Sequence, residues 1–133
     1  MLHLKRCLVN SSTLKSNWWY CIRIGVAQLA LVADCVADVC AADTSSSDEA
    51  VIDFMVLDGE VIFIATPPIL LQTNRRIESV EAANTVLVFK INDARVGLRV
   101  SECHAAVQAL PNEQAIQAHG STWEVVSIKD SIL

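Results

Sequence analysis

Cys103-His104 is the only place where a nucleophile stands directly beside a histidine in this 133-residue chain. A thiol next to an imidazole would suit nucleophilic catalysis, the ring taking the thiol proton. On a helical turn, however, neighbours point about 100° apart and do not face each other. His3, His104 and His119 share no metal-ligand spacing, and no CxxC pair is present, so structural zinc is not indicated. Asp34 and Asp38 stand at i and i+4, which could pair two carboxylates. A helix cap and a solvated side chain explain them as well. There is no Walker A loop, no GxGxxG and no GxSxG, and four glycines leave little room for a phosphate cradle. No catalytic residue, cofactor or metal ligand is assigned, and the chain is read as a non-enzyme.

Binding is the remaining class, and composition narrows it. Hydrophobic residues make up 53% and charged residues 19%, enough apolar surface to bury a core. A net charge of −5 without a basic patch argues against nucleic acid, and 5% aromatics argue against a base-stacking surface. Five cysteines, an odd number, with no secretion signal suggest reduced thiols in a cytoplasm. Cys21, Cys35 and Cys103 lie in periodic segments, where cysteine acts as a small hydrophobe. The best membrane candidate, residues 22–42, contains Arg23, Gln28, Asp34 and Asp38, each costly in lipid, so no membrane insertion is expected. Residues 1–17 carry Lys5, Arg6 and Lys15 among Leu2, Leu4, Leu8 and Val9. They read as a tail or short helix, with too brief an apolar run for a signal peptide.

The elements that must position any binding surface are organised around residues 86–107. Leu87, Phe89 and Ile91 share one face of a strand, Asn92-Asp93 makes a turn, and Val96, Leu98 and Val100 share one face of the next strand. This period of two is that of a half-buried antiparallel hairpin. Ser101 is then expected to cap a helical turn carrying Cys103, Ala106 and Val107. The pattern recurs 67 positions earlier: Ile24 falls on Ile91, Ala27 on Ala94, Leu31 on Leu98 and Arg23 on Lys90. Asp34 takes the capping place of Ser101, with Val36 and Val39 as the apolar anchors. A second match sets residues 60–64 on residues 124–128, an offset of 64. Two similar β units are implied, about 18–73 and 85–133.

Between these landmarks the sequence is more ordinary. Alternation in Trp18-Trp19-Tyr20 puts Trp18 and Tyr20 toward the core. Trp19 is left outside, to cover a barrel end or anchor a partner. Residues 41–48 form a solvated linker. A further hairpin alternates Ile52, Phe54 and Val56 with Asp53, Met55 and Leu57 and turns at Asp58-Gly59. Residues 61–64 form a continuous apolar strand, expected to be covered on both faces. Thr66-Pro67-Pro68 stops it, residues 69–73 suggest a helical turn, and residues 74–84 form a polar connection. A mostly polar stretch from Leu110 to Ser121 precedes a last strand at residues 123–128.

This arrangement resembles the CheW family of chemotaxis adaptors. Residues 20–39 are similar to that family's opening strand pair and short turn. Val56-Leu57-Asp58-Gly59-Glu60-Val61-Ile62 is similar to its central hairpin, and residues 86–111 to its second strand pair with a closing Leu-Pro. The resemblance covers residue 18 to the C-terminus. It implies an all-β fold of two SH3-like five-stranded barrels with short helical turns and interleaved chains. It also implies a bacterial, cytoplasmic adaptor that links a chemoreceptor to the regulatory domain of a histidine kinase. The sequence departs from the family in three places. Asp58 stands where the family has an arginine tied to receptor coupling, the loop at residues 44–48 is short, and the glycines before the hairpin are missing. The candidate protein-binding residues are Leu57, Asp58, Gly59 and Glu60 at the hairpin tip, and Trp19. Two alternatives stand beside the adaptor: a free-standing interaction module or homodimer outside chemotaxis, and a small ligand-binding β-barrel.

Overall fold

A computed structural model describes residues 17–41, 53–78, 80 and 83–129. The expectations for the tail, for most of the linker, for the start of the second hairpin at residues 51–52 and for the chain end lie outside these residues. The elements in chain order are β1 (Asn17–Ile24), β2 (Ala27–Val32), a 3-10 turn (Ala33–Cys35), β3 (Val36–Ala41), β4 (Phe54–Leu57), β5 (Glu60–Ile64) and α1 (Pro67–Leu70). Next come β6 (Leu71–Gln72), β7 (Thr85–Ile91), β8 (Ala94–Val100), β9 (Glu102–Cys103), β10 (Val107–Ala109), β11 (Ala115–Ala118), β12 (Ser121–Val125) and β13 (Ser127–Ile128). Among the described residues no helix is long and apolar enough to cross a membrane.

The two organising hairpins form in matching register. β1 and β2 pair from Trp19↔Val32 to Ile24↔Ala27, and β7 and β8 pair from Thr85↔Val100 to Ile91↔Ala94. Adding 67 to Ile24↔Ala27 gives Ile91↔Ala94, so the offset read from sequence also carries the pairing. Asn92 and Asp93 adopt φ of 51° and 69°, the left-handed pair that a tight two-residue hairpin requires.

The segments after the two hairpins differ from expectation. The helical turn carrying Cys103, Ala106 and Val107 does not form; β9 and β10 lie there instead, both paired with β1. The cause is that β1 satisfies their backbone groups. Ser101 N–H donates to the Arg23 carbonyl at 2.7 Å and His104 N–H to the Cys21 carbonyl at 2.9 Å. The Ser101 hydroxyl accepts from Gly25 N–H at 3.0 Å rather than capping a helix. After the first hairpin a 3-10 turn does form, but Asp34 lies inside it and Val32 takes the cap position without a side-chain bond. Val36 and Val39 belong to β3.

Each large sheet draws strands from both halves of the chain. The first runs β10-β1-β2-β12-β11, with β9 also on β1; the second runs β3-β7-β8-β5-β4; β6 and β13 pair separately. Two short parallel contacts make the joins: β12 on β2 through Glu124↔Leu29, and β5 on β8 through Phe63↔Val96. The β4–β5 hairpin therefore corresponds to β11–β12. Asp58-Gly59 (φ 53° and 79°) matches His119-Gly120 (φ 52° and 75°). The true offset of this second repeat is 119 − 58 = 61, not 64. Residues 126–128 leave the sheet, and β13 turns away to pair with β6.

One large core takes residues from both sheets, including Trp19, Ile22, Leu29, Leu31, Leu87, Phe89, Leu98 and Trp123. A smaller one, Met55, Ile62, Val86 and Val88, lines the inner face of the second sheet. β7 thus serves both cores, with Leu87, Phe89 and Ile91 facing the first and Val86 and Val88 the second. The tryptophan phase is inverted relative to expectation: Trp19 is fully buried and Trp18 is 54% exposed. The Trp19 indole N–H donates to the Ala109 carbonyl at 3.0 Å, which lets the ring be buried with its polar atom satisfied. β5 is covered on one face only: Ile62 is buried, whereas Val61 and Phe63 are exposed. Pro67 and Pro68 begin α1 as well as ending the strand, since the first helical turn needs no N–H from them.

Gly97 on β8 sits where β5 joins. A Cβ there would stand 2.9 Å from Val86 Cγ1 and 3.2 Å from Ile64 Cγ1. Both neighbours are β-branched and stiff. Gly97→Ala is expected to destabilise the fold by about 1–3 kcal/mol, read as a lower urea midpoint.

Candidate functional site

The hairpin β4–β5 carries the surface most suited to binding. Its two-residue turn, Asp58-Gly59, is closed by Leu57↔Glu60, and the pairing continues through Val56↔Val61, Met55↔Ile62 and Phe54↔Phe63. Residues directly opposite share a face. Met55 and Ile62 therefore turn inward together, and Phe54, Val56, Val61 and Phe63 turn outward together. All four outward side chains are between 47% and 59% exposed. They form one apolar ladder with no described element packed on it. The corresponding outer positions of β11–β12, at the offset of 61, are Ala115, Gln117, Thr122 and Glu124. There Thr122 and Gln117 hydrogen-bond across the strands at 3.0 Å. The fold accepts small and polar residues at these places, so the apolar ladder of β4–β5 is not a requirement of the architecture.

The base of this hairpin is fixed by a buried charge. Arg99 on β8 is only 6% exposed. Its Nε and Nη2 donate to Asp53 Oδ2 and Oδ1 at 2.7 and 2.8 Å, and its Nη1 donates to the Ala83 carbonyl at 2.8 Å. Bidentate pairing of this kind fixes orientation as well as charge. The Asp53 hydrogen bond raises the Arg99 pKa above its ordinary value against the opposing cost of burial. Asp53 immediately precedes β4, and its carbonyl accepts Ile64 N–H at 3.0 Å. At the other end, Glu60 pairs with Arg95 at 3.4 Å. Asp58 forms no ion pair with the described residues.

The structure sorts the sequence candidates. Asp58, Gly59 and Glu60 are exposed at the tip, while Leu57 is half-buried against the small core. Trp19 lies in the large core and cannot anchor a partner without unfolding β1. The residues missed are Val61 and Phe63, read as covered, and with them the whole ladder. The signal was present: a two-residue turn at Asp58-Gly59 dictates that Phe54 and Val56 share a face with Phe63 and Val61.

The other reactive groups do not converge. The Cys103 thiol points at the His104 carbonyl at 3.7 Å, not at an imidazole. Burial raises its pKa, and burial reinforced by Cys103 pushes the Cys21 thiol up to about 11. Both are held as neutral thiols at neutral pH. His104 and His119, unrelated by any sequence spacing, stack with ring centroids 4.7 Å apart beside Trp123. Among the described residues no group of three metal-ligating side chains occurs.

No protein-family model and no curated protein sequence matches this chain. Among solved structures it is similar to the scaffolding protein TtCheW from Thermoanaerobacter tengcongensis. The TM-score is 0.56 at 12% identity, over 84% of this chain and 89% of that one. At this identity the likeness concerns the fold, which is all-β and CheW-like.

Asp53→Ala leaves the buried guanidinium unpaired. Removing one member of a buried pair costs about 3–5 kcal/mol, and the half-exposed Asp53 end lowers this to roughly 2–3 kcal/mol. Thermal unfolding followed by circular dichroism should show the loss, with Arg99→Met milder because it removes the buried charge itself.

Proposed function

We propose that this chain is a non-enzymatic adaptor of chemotaxis-type signalling, a cytoplasmic protein that links a receptor to the regulatory domain of a histidine kinase. The observation that carries this reading is the exposed apolar ladder of β4–β5 on a CheW-like fold. Contacts are assigned to the outer face of that hairpin and to its tip, Leu57, Asp58, Gly59 and Glu60. Rigidly based hairpin tips are where scaffolds place recognition.

Magnitudes set the kind of binding to expect. Full burial of a large apolar side chain is worth about 1.5–3 kcal/mol, so finishing the burial of four half-exposed ones yields roughly 3–6 kcal/mol. Association itself costs about 4–15 kcal/mol. The ladder alone therefore supports weak, reversible contact, and a working complex needs further bonds around it. That suits an adaptor exchanging partners better than an obligate subunit.

Asp58 favours a second reading. It reverses the charge expected at the turn of a receptor-coupling adaptor, and so supports a stand-alone interaction module, or a homodimer, outside chemotaxis. The ligand-barrel alternative finds less support, because Met55, Ile62, Val86 and Val88 fill the inner face of the second sheet.

Calorimetric titration against the regulatory domain of a histidine kinase from the same organism tests the adaptor. Saturable binding near micromolar affinity is expected, weakened about tenfold by Val61→Asp, which breaks the ladder without touching the core. Absence of heat at several hundred micromolar (an order-of-magnitude ceiling for specific contact) would contradict it and favour the module reading.

A further inference from the structure

Edge strands are usually guarded against pairing with other chains by brevity, charge, proline or a bulge. Among the described residues, two of the four outer edges in the two large sheets are guarded in this way. β3 carries Asp38 and a register shift between Val36 and Asp38. β10 is three residues long. β11, Ala-Ile-Gln-Ala, is unguarded, but its outer face carries only Ala115 and Gln117. β4, Phe-Met-Val-Leu, is as long as β11 and likewise has no charge, no proline and no bulge, but it alone of the two turns large apolar side chains, Phe54 and Val56, outward. It is also the edge that borders the apolar ladder.

Its backbone groups point outward in a defined pattern. In a two-residue hairpin the closing pair, here Leu57↔Glu60, exchanges hydrogen bonds, and every second pair after it does the same. Leu57, Met55 and Asp53 therefore direct their backbone groups at β5, as the Ile64 N–H to Asp53 carbonyl bond shows. Phe54 and Val56 direct theirs away from the sheet, and no described residue meets them. Each offers one N–H and one C=O to a newcomer.

We infer that the outer edge of β4 receives an extended segment of a partner protein, added as a further strand to the five-stranded second sheet. The segment is apolar on the face that continues the Phe54–Phe63 and Val56–Val61 ladder, and it carries a basic residue beside Asp58. This deepens the adaptor reading and rests on it for the choice of surface. The added backbone bonds supply what the ladder lacks alone, the mode by which strand addition gains affinity from main chain and specificity from alternate side chains.

Charge selects the occupant. Asp53 is compensated by Arg99 and Glu60 by Arg95, which leaves Asp58 as the carboxylate at this edge without a described ion-pair partner. A second copy of this chain would bring another Asp58 and a second net charge of −5 to the contact. A cationic segment from a different protein is complementary instead.

The test uses the whole chain and a fluorescein-labelled nonapeptide of alternating threonine and valine with a lysine at each end, followed by anisotropy. Saturable binding with a Kd on the order of 100 μM is expected. Val56→Pro removes one outward N–H but no bond to β5, and proline is tolerated on an edge strand. It should weaken binding about tenfold with an unchanged circular dichroism spectrum. Phe63→Thr, which keeps the edge amides, should weaken it through the ladder alone. Replacing the peptide lysines by glutamates should weaken binding several-fold, and Asp58→Lys should reverse that preference. No saturation by about 1 mM, or equal binding by the Val56→Pro chain, overturns the inference. So does sedimentation that shows the chain dimerising through this edge. Kinase binding without peptide binding would leave the adaptor standing and remove only strand addition. Peptide binding without kinase binding would do the reverse.

Discussion

A guanidinium that is only 6% exposed must be paired, and the pairing of Arg99 with Asp53 decides where the binding hairpin can sit. Leaving that charge alone in the second sheet would cost several kcal/mol, more than any contact made by the short strand β4 could offset. Arg99 therefore pins the residue just before β4 to the C-terminal end of β8, while its third arm holds the Ala83 carbonyl ahead of β7. Gly97, two residues away, opens the space through which β5 reaches β8. Together they make a rigid base for a hairpin whose outer face is not needed by either core.

The two halves of the molecule show what is structural and what is not. Equivalent turns, parallel joins and hairpin registers occur in both sheets, so these belong to the architecture. The outer faces of the equivalent hairpins differ. One presents Phe54, Val56, Val61 and Phe63, and the other presents Ala115, Gln117, Thr122 and Glu124. A fold-level likeness to a scaffolding protein explains the shared frame. The difference between the faces is where specific function resides, since fold alone does not assign it.

Sequence periodicity revealed the hairpins well because a period of two, a two-residue turn and pairing register are all local. Phase was less secure. In Trp18-Trp19-Tyr20 alternation cannot say which parity faces inward, and the decision came from the Ala109 carbonyl, ninety residues away, which takes the Trp19 N–H. The segment after Ser101 has a plausible helical pattern. Its backbone nevertheless finds partners on β1, a non-local choice that overrides propensity. β11, Ala-Ile-Gln-Ala, carries almost no strand signal of its own and exists through pairing with β12. Recognising Gly120 as the twin of Gly59 would have set the second offset at 61 and revealed β11. The tip residues Asp58, Gly59 and Glu60 were legible as a turn. The apolar ladder was hidden because four hydrophobic residues in a row read as buried.

In the free protein β4 is firmly held on one side and open on the other. Amide hydrogen exchange of the free protein, resolved residue by residue by NMR, tests it most directly. Alternation is expected: Met55 and Leu57 protected by β5, and Phe54 and Val56 exchanging several orders of magnitude faster. Equal protection of all four amides would show that the edge is already occupied and would contradict the claim.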